Sequence, residues 1–308
     1  MSAILESVLR IQSSEVSFVR RRFNIPRTPV RTRLERVGET FLYGYHAALA
    51  DRSLNMLAAQ LNDIDLEFRS YGYEGAAMAL DLLDQLTPWK RWRVQTFLAG
   101  SGEPHTYMVL VGIGWSMARI RFRLERRLSD LDPLLRWLAI DGYGFHEGYF
   151  HWQRYIDGKS LPPKLQGYAL RAFDQGLGRS MWFIGGADPE RILVMIEAFP
   201  DSRRGDLWSG VGLACAYAGG AGRAGIDRLR QLAGYWWPHL AQGTVFAAKA
   251  RARAGNPTEH TDQACRMLCG LPCIEAAALS DLMLIHAVED GQPAYEVWRH
   301  HIRMYFHA

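Results

Sequence analysis

Residues 205–220 read GDLWSGVGLACAYAGG, and the fold follows outward from them. Asp206 has the chemistry of a helix N-cap and the Gly219-Gly220 pair that of a helix stop. Between them Gly210, Gly212, Ala214, Cys215, Ala216 and Ala218 put small residues on one face, removing the bulk that normally separates helix axes. The stretch predicts a helix that a second helix can approach closely.

The same signature recurs. Gly243 in HLAQGTVFAA lies 33 positions on, Gly176 in FDQGLG lies 34 positions earlier, and VGIGWSMA brings Gly112 and Gly114 close to two periods before that. Gly148, Gly75 and Gly44 complete seven registers at a mean of about 33 residues, the length of a two-helix unit. The expected fold is all-α: seven stacked helical hairpins, as a tetratricopeptide-like α-solenoid or a compact helical array. Gly-rich helices of any large all-α protein drift into similar spacings, and intervals of 31, 37, 36 and 28 in the first half are loose. Common ancestry of the repeats therefore stays open, while the fold class does not depend on it.

Composition sets the limits. Ten Trp, 13 Tyr and 13 Phe must either pack hairpins or line a cavity. The net charge of +4 is concentrated at the front, where residues 1–36 hold eight arginines against Glu6, Glu15 and Glu35. That leaves no basic stripe on the body and argues against nucleic acid. The chain divides into a basic arm, 1–30, and an all-helical domain, 31–308, with room for two halves meeting near 155–165, where Leu161-Pro162-Pro163 marks a loop. No stretch reads as a signal peptide, and the most apolar run, 107–120, is shorter than the ~20 residues of a spanning helix. Four cysteines give no disulfide framework, so a cytoplasmic location is expected.

Along the arm Ile4, Leu5, Val8, Leu9, Ile11, Val16, Phe18 and Val19 precede Arg20-Arg21-Arg22. This segment suits docking on the body or weak contact with a membrane surface. Pro26 and Pro29 place the first body helix near Arg31, helical spacing covers 32–50 and 52–68, and Pro88 breaks the next helix. Asp188-Pro189 starts a helix that should reach Phe199, and Thr258 caps another.

Two phrases draw attention as a site. Tyr71-Gly-Tyr73-Glu74-Gly75 is echoed by Tyr143-Gly-Phe145-His146-Glu147-Gly148, each placing a carboxylate beside a glycine where helices meet. Such a group is either hydrogen-bonded to a neighbouring helix or held in a groove with a raised pKa. On a continuous helix Glu147 and His151 would share a face at i and i+4, with His146 pointing partly aside. The phrase is one residue too long for HExxH, so no metal is assigned, and a polar network or general acid/base pair is preferred. Asp174 and Arg179, five apart around two glycines, suit a sheltered ion pair. Cys265, Cys269 and Cys273 read as buried residues because Gly270 and Pro272 interrupt their spacing. His300, His301 and His307 read as solvent-exposed. No motif identifies a cofactor.

Six phrases, YEGAAMALDLLDQLTPWKR, LAIDGYGFHEGYFH, GYALRAFDQGLGRSMWF, DLWSGVGLACAYAGG, HLAQGTVFAAKARARAGNP and HTDQACRMLCG, together resemble the family called domain of unknown function 1702. The resemblance covers about residues 33–298 and leaves Cys273 and the first 30 residues outside its phrases. Members of that family sit in enediyne polyketide gene clusters and related actinobacterial and cyanobacterial loci. The resemblance implies a role in antibiotic secondary metabolism beside the iterative polyketide synthase whose linear polyene becomes the enediyne core. It brings no catalytic residues with it.

Two functions then compete. In one, the protein holds an apolar polyene or other polyketide-derived ligand against Tyr73, Tyr143, Phe145, Tyr149, Phe150, Trp152 and Trp182, with Glu74, His146, Glu147, His151, Asp174 and Arg179 as the groups that act on it. In the other, it is a non-catalytic helical-repeat scaffold that binds other pathway proteins. Aromatic load and the HEGYFH phrase favour the first; repeat spacing and the lack of a cofactor motif favour the second.

Overall fold

A computed structural model describes residues 7–50, 53–87, 89, 92–284 and 291–307. Ile4, Leu5 and Pro88, named above, lie outside the described residues. The described elements are all helical, with no strand among them. None of these helices is by itself long and apolar enough to cross a membrane.

Seven long inner helices carry the glycine registers: α1 (Thr28–Leu49), α2 (Arg69–Leu86), α3 (Thr106–Arg119), α4 (Trp137–Phe150), α5 (Tyr168–Ile184), α6 (Asp201–Ala218) and α7 (Trp237–Arg253). A shorter outer element follows each, such as Leu54–Asn62 after α1 and Arg223–Ala233 after α6. The exception is α4, followed by a π-helical turn, Gln153–Asp157, and a loop. Two more helices, α8 (Cys273–Leu284) and α9 (Ala294–Tyr305), finish the chain.

The inner helices run parallel. Arg171 near the start of α5 binds Asp206 near the start of α6 at 3.0 Å. Halfway along, the Ser209 hydroxyl lies between the amide oxygens of Gln175 and Gln242 at 3.3 and 2.8 Å. Near the ends, Arg251 of α7 donates to the Tyr217 carbonyl of α6 at 2.6 Å. Start meets start and end meets end, as parallel helices joined by a return element require.

The glycines work in opposed pairs, not on one face as the sequence suggested. Residues two apart on a helix point about 200° apart, since 3.6 residues make a turn. Gly210 therefore faces back to α5, where a Cβ would run into the Gln175 carbonyl and come within 2.7 Å of the Arg179 nitrogen. Gly212 faces forward onto the Leu240 carbonyl of α7. Gly112/Gly114, Gly142/Gly144 and Gly176/Gly178 repeat this arrangement. The register glycine of α4 is thus Gly142; Gly148, chosen from spacing, instead meets Ser180. Gly144 and Gly176 press α4 and α5 together across residues 151–167 as tightly as elsewhere.

Local signals resolve in the same physical terms. Asp206 is not an N-cap: the helix starts five residues earlier, at Asp201, because residues 201–204 keep a solvated first turn while Asp206 is buried for ion pairing. Gly219 does end it, at φ 70°. Helix α1 begins at Thr28 and not near Arg31, because Pro29 sits in the first turn, where its missing N–H costs nothing. The 52–68 stretch is helical only over Leu54–Asn62 and then turns. Asp188 and Thr258 cap their helices as expected, and the helix opened by Pro189 ends at Glu197.

The row of inner helices curls back on itself. The Tyr71 hydroxyl of α2 donates to the Tyr217 carbonyl of α6 at 3.2 Å, and Arg251 of α7 donates to the Glu67 carbonyl at 2.6 Å. The arm lies against the body: Tyr45 and Tyr149 donate to the Leu9 and Val16 carbonyls, and Phe18 is fully buried. Helix α9 reaches inward, where Arg299 binds Asp206 at 2.8 Å.

Candidate functional site: the axial cavity

The curl encloses space along its axis. One chamber is walled by Phe41, Tyr71, Trp115, Phe145, Tyr149 and Phe183, with Glu74 and Arg179 as charged groups of the inner helices and the arm residues Ile11, Glu15 and Val16 at its edge. A second is walled by Val111, Phe246, Tyr295 and Trp298. The chambers share Arg179, Leu213 and Tyr217.

Glu74 is there because of the repeat. The residue before each back-facing glycine points toward the axis side and is polar in five helices: Glu74, Asp141, Gln175, Ser209 and Gln242. From α4 to α7 these residues form a continuous ladder. Gln175 donates to Asp141 at 2.7 Å, Ser209 joins Gln175 to Gln242, and Arg299 donates to Gln242 at 3.1 Å. In α3 that position is Val111, which offers no hydrogen bond. The ladder is broken there, and Glu74 is left 2% exposed with its Oε1 unpartnered. Burial pushes its carboxyl up to about 8; the Arg179 charge pulls it down, Asp141 pushes it further up, and the Trp115 indole beside it helps the ionised form without completing a hydrogen bond.

Arg179 is paired, but not with Asp174. Its guanidinium binds Asp141 and lies 4.8 Å over the Phe145 ring. Asp174 pairs instead with Arg203 at 2.5 Å, because residues five apart on a helix point away from each other. Burial raises the Asp174 carboxyl to about 6 against the pull of Arg203.

The ionisable residues of the HEGYFH phrase do not line the first chamber, and His146 and His151 line a groove beside it. His146 Nδ1 is 3.2 Å from Glu147 Oε1, which also accepts from Arg121 at 3.0 Å. Burial raises the Glu147 carboxyl, but His146 and Arg121 outweigh it and hold it below its ordinary value; burial lowers His146 against the pull of Glu147. His151 does not share a face with Glu147: α4 ends at Phe150, and His151 is an exposed cap at φ −132°. The repeat counterpart of Glu74 is Asp141, one helix turn and more before Glu147.

Of the predicted aromatic walls, Phe145, Tyr149 and Phe150 line the first chamber. Tyr73 stacks on Phe97 and His105 at the outer side of α2, Tyr143 packs on Phe173, Trp152 donates to the Arg21 carbonyl, and Trp182 to the Gly219 carbonyl. Phe41, Tyr71, Trp115, Phe183 and Tyr217 were missed. A side chain's direction toward the axis depends on the repeat register, and the polar residue before each glycine was the signal that would have given it. Among the described residues no three His, Cys, Asp or Glu side chains converge as a metal site would need. All four cysteines are buried thiols.

A family model described as a protein of unknown function, DUF1702, matches residues 1–306. The chain belongs to the DUF1702 family. The match takes in the arm and Cys273, both outside the phrases that carried the resemblance, so this DUF1702 protein has its arm within the family's common length. No curated protein and no solved structure matches the chain.

Proposed function

We propose that this DUF1702 protein holds a long apolar polyene in its axial cavity and moves a proton on it with Glu74, in the maturation of a linear polyene to an enediyne core. The observation that carries this reading is a buried, unpartnered carboxyl in a chamber whose other walls are mostly rings and aliphatic side chains, with Arg179 as its charged neighbour and Glu15 of the arm at the edge. A conjugated hydrocarbon offers no hydrogen bonds, so burial area must bind it and very few polar groups can act on it.

Glu74, protonated near neutral pH, can give its proton to a carbon of the conjugated chain. The carboxylate that results lies in the field of Arg179 and can take a proton from another carbon, so the net change is a double-bond shift or ring closure with no oxidant consumed. Asp141 fixes Arg179 for this purpose. The scaffold alternative has less support, because the inward faces it would offer to partners wall the cavity instead.

Gene-cluster complementation tests the proposal. Glu74→Gln, first shown to keep wild-type helicity, should accumulate linear polyene; full restoration of the enediyne product would remove Glu74 from the chemistry.

A further inference from the structure

A groove adjoins the first chamber, and its charge is uneven. Its walls include Arg10, Arg21, Arg119, Arg121 and His151, with Glu15 as the one acidic member among the described residues. Two of the four arginines are already matched: Arg21 binds Glu15 at 2.5 Å, and Arg121 binds Glu147 at 3.0 Å. Arg10 and Arg119 are exposed and make no ion pair or hydrogen bond with any described residue. Ile11, Glu15 and Phe150 line both the groove and the chamber, so the apolar space and the cationic space share a wall. The guanidinium of Arg21 rests 5.0 Å from the centre of the Phe150 ring at this boundary.

An apolar chamber opening beside two unmatched cations is complementary to an amphiphile, not to a plain hydrocarbon. We infer that the ligand of this protein is a long apolar chain with an anionic head, a carboxylate or a phosphate, the chain lying in the axial cavity and the head on Arg10 and Arg119. This rests on the reading of the cavity as a polyene site and adds the polar end of the molecule to it. Head-group capture would also fix how far the chain enters, and so which carbon stops beside Glu74.

The test is fluorescence titration of the full-length protein with cis-parinaric acid, a conjugated tetraene fatty acid, and with its methyl ester. The acid should bind about tenfold more tightly than the ester at low salt, the worth of one charge-assisted contact, with the gap shrinking as salt rises. Arg10→Ala combined with Arg119→Ala should bring the acid down to the ester's affinity and leave the ester unchanged, and Arg119→Lys should recover part of the gap. Competition by dodecyl phosphate against dodecanoate then ranks the heads; stronger displacement by either anion than by dodecanol supports the site and says which head it prefers. Equal binding of acid and ester, untouched by the double substitution, would overturn the head-group site while leaving the cavity reading standing. Binding of neither would sink the cavity reading and this inference with it.

Discussion

Glu74 keeps its proton because of a single break in a ladder. Asp141, one repeat register further on, has Gln175 and Arg179 to stabilise its charge. Glu74 faces Val111 where such a partner would stand, and burial raises its pKa to about 8. The consequence for stability has a definite sign. Between the ordinary glutamate value and about 8, the folded chain holds a proton at Glu74 that the unfolded chain has released, so this group makes stability fall as pH rises through that window. Glu74→Gln, neutral at all pH, should remove that slope: its melting temperature relative to wild type should climb steadily from pH 4.5 to 8 and level off above. A difference that stays flat across this range would mean Glu74 is ionised in the folded protein. The opposite case lies nearby. Burial also works to raise Glu296, yet Arg299, Arg303 and Arg171 overcome it and hold that carboxyl at about 2, so the stability it contributes is full above the ordinary glutamate value and is lost as pH falls from there to about 2.

At the scale of the helix, the Gly-x-Gly pairs are what let parallel helices stand side by side. Gly210 leaves no room for even one methyl group, since Gln175 and Arg179 backbone atoms occupy the place. Gly210→Ala should therefore cost about 1–3 kcal/mol through overpacking, outweighing the gain in helix propensity. Gly222→Ala, where nothing lies within 4 Å, should stay within about 0.5 kcal/mol in denaturant titrations. Equal effects at the two sites would mean that α5 and α6 are not in backbone contact. This packing was legible from residues 205–220 because small residues and helix stops are local signals. The direction of each glycine was not, since it depends on which neighbour lies on which side. The choice of Gly148 over Gly142 shows the cost: a register error of six residues paired Glu74 with Glu147 and sent the walls of the site to Tyr143 and Tyr73. Asp174 and Arg179 failed for a related reason, because each found its partner on another element.

For the molecule as a whole, curling the inner row turns a repeat array into a container. Tyr71 on Tyr217 and Arg251 on Glu67 bring the sixth and seventh inner helices onto the second, the arm lines the first chamber and α9 the second. None of these contacts joins residues near each other in sequence, which is why the heavy aromatic load could be read only as either packing or cavity wall. The structure assigns it to both: Trp182 and Trp208 are core, while Trp115 and Phe145 face the axis. The central claim is that this axis receives an apolar chain, and the most direct measurement is a titration with parinaric methyl ester, comparing wild type with Ala214→Phe, which fills the first chamber from α6. The account predicts saturable binding at one ligand per chain in the wild type and its loss in the variant at unchanged helicity by circular dichroism. Binding of equal affinity and stoichiometry by both proteins would contradict it.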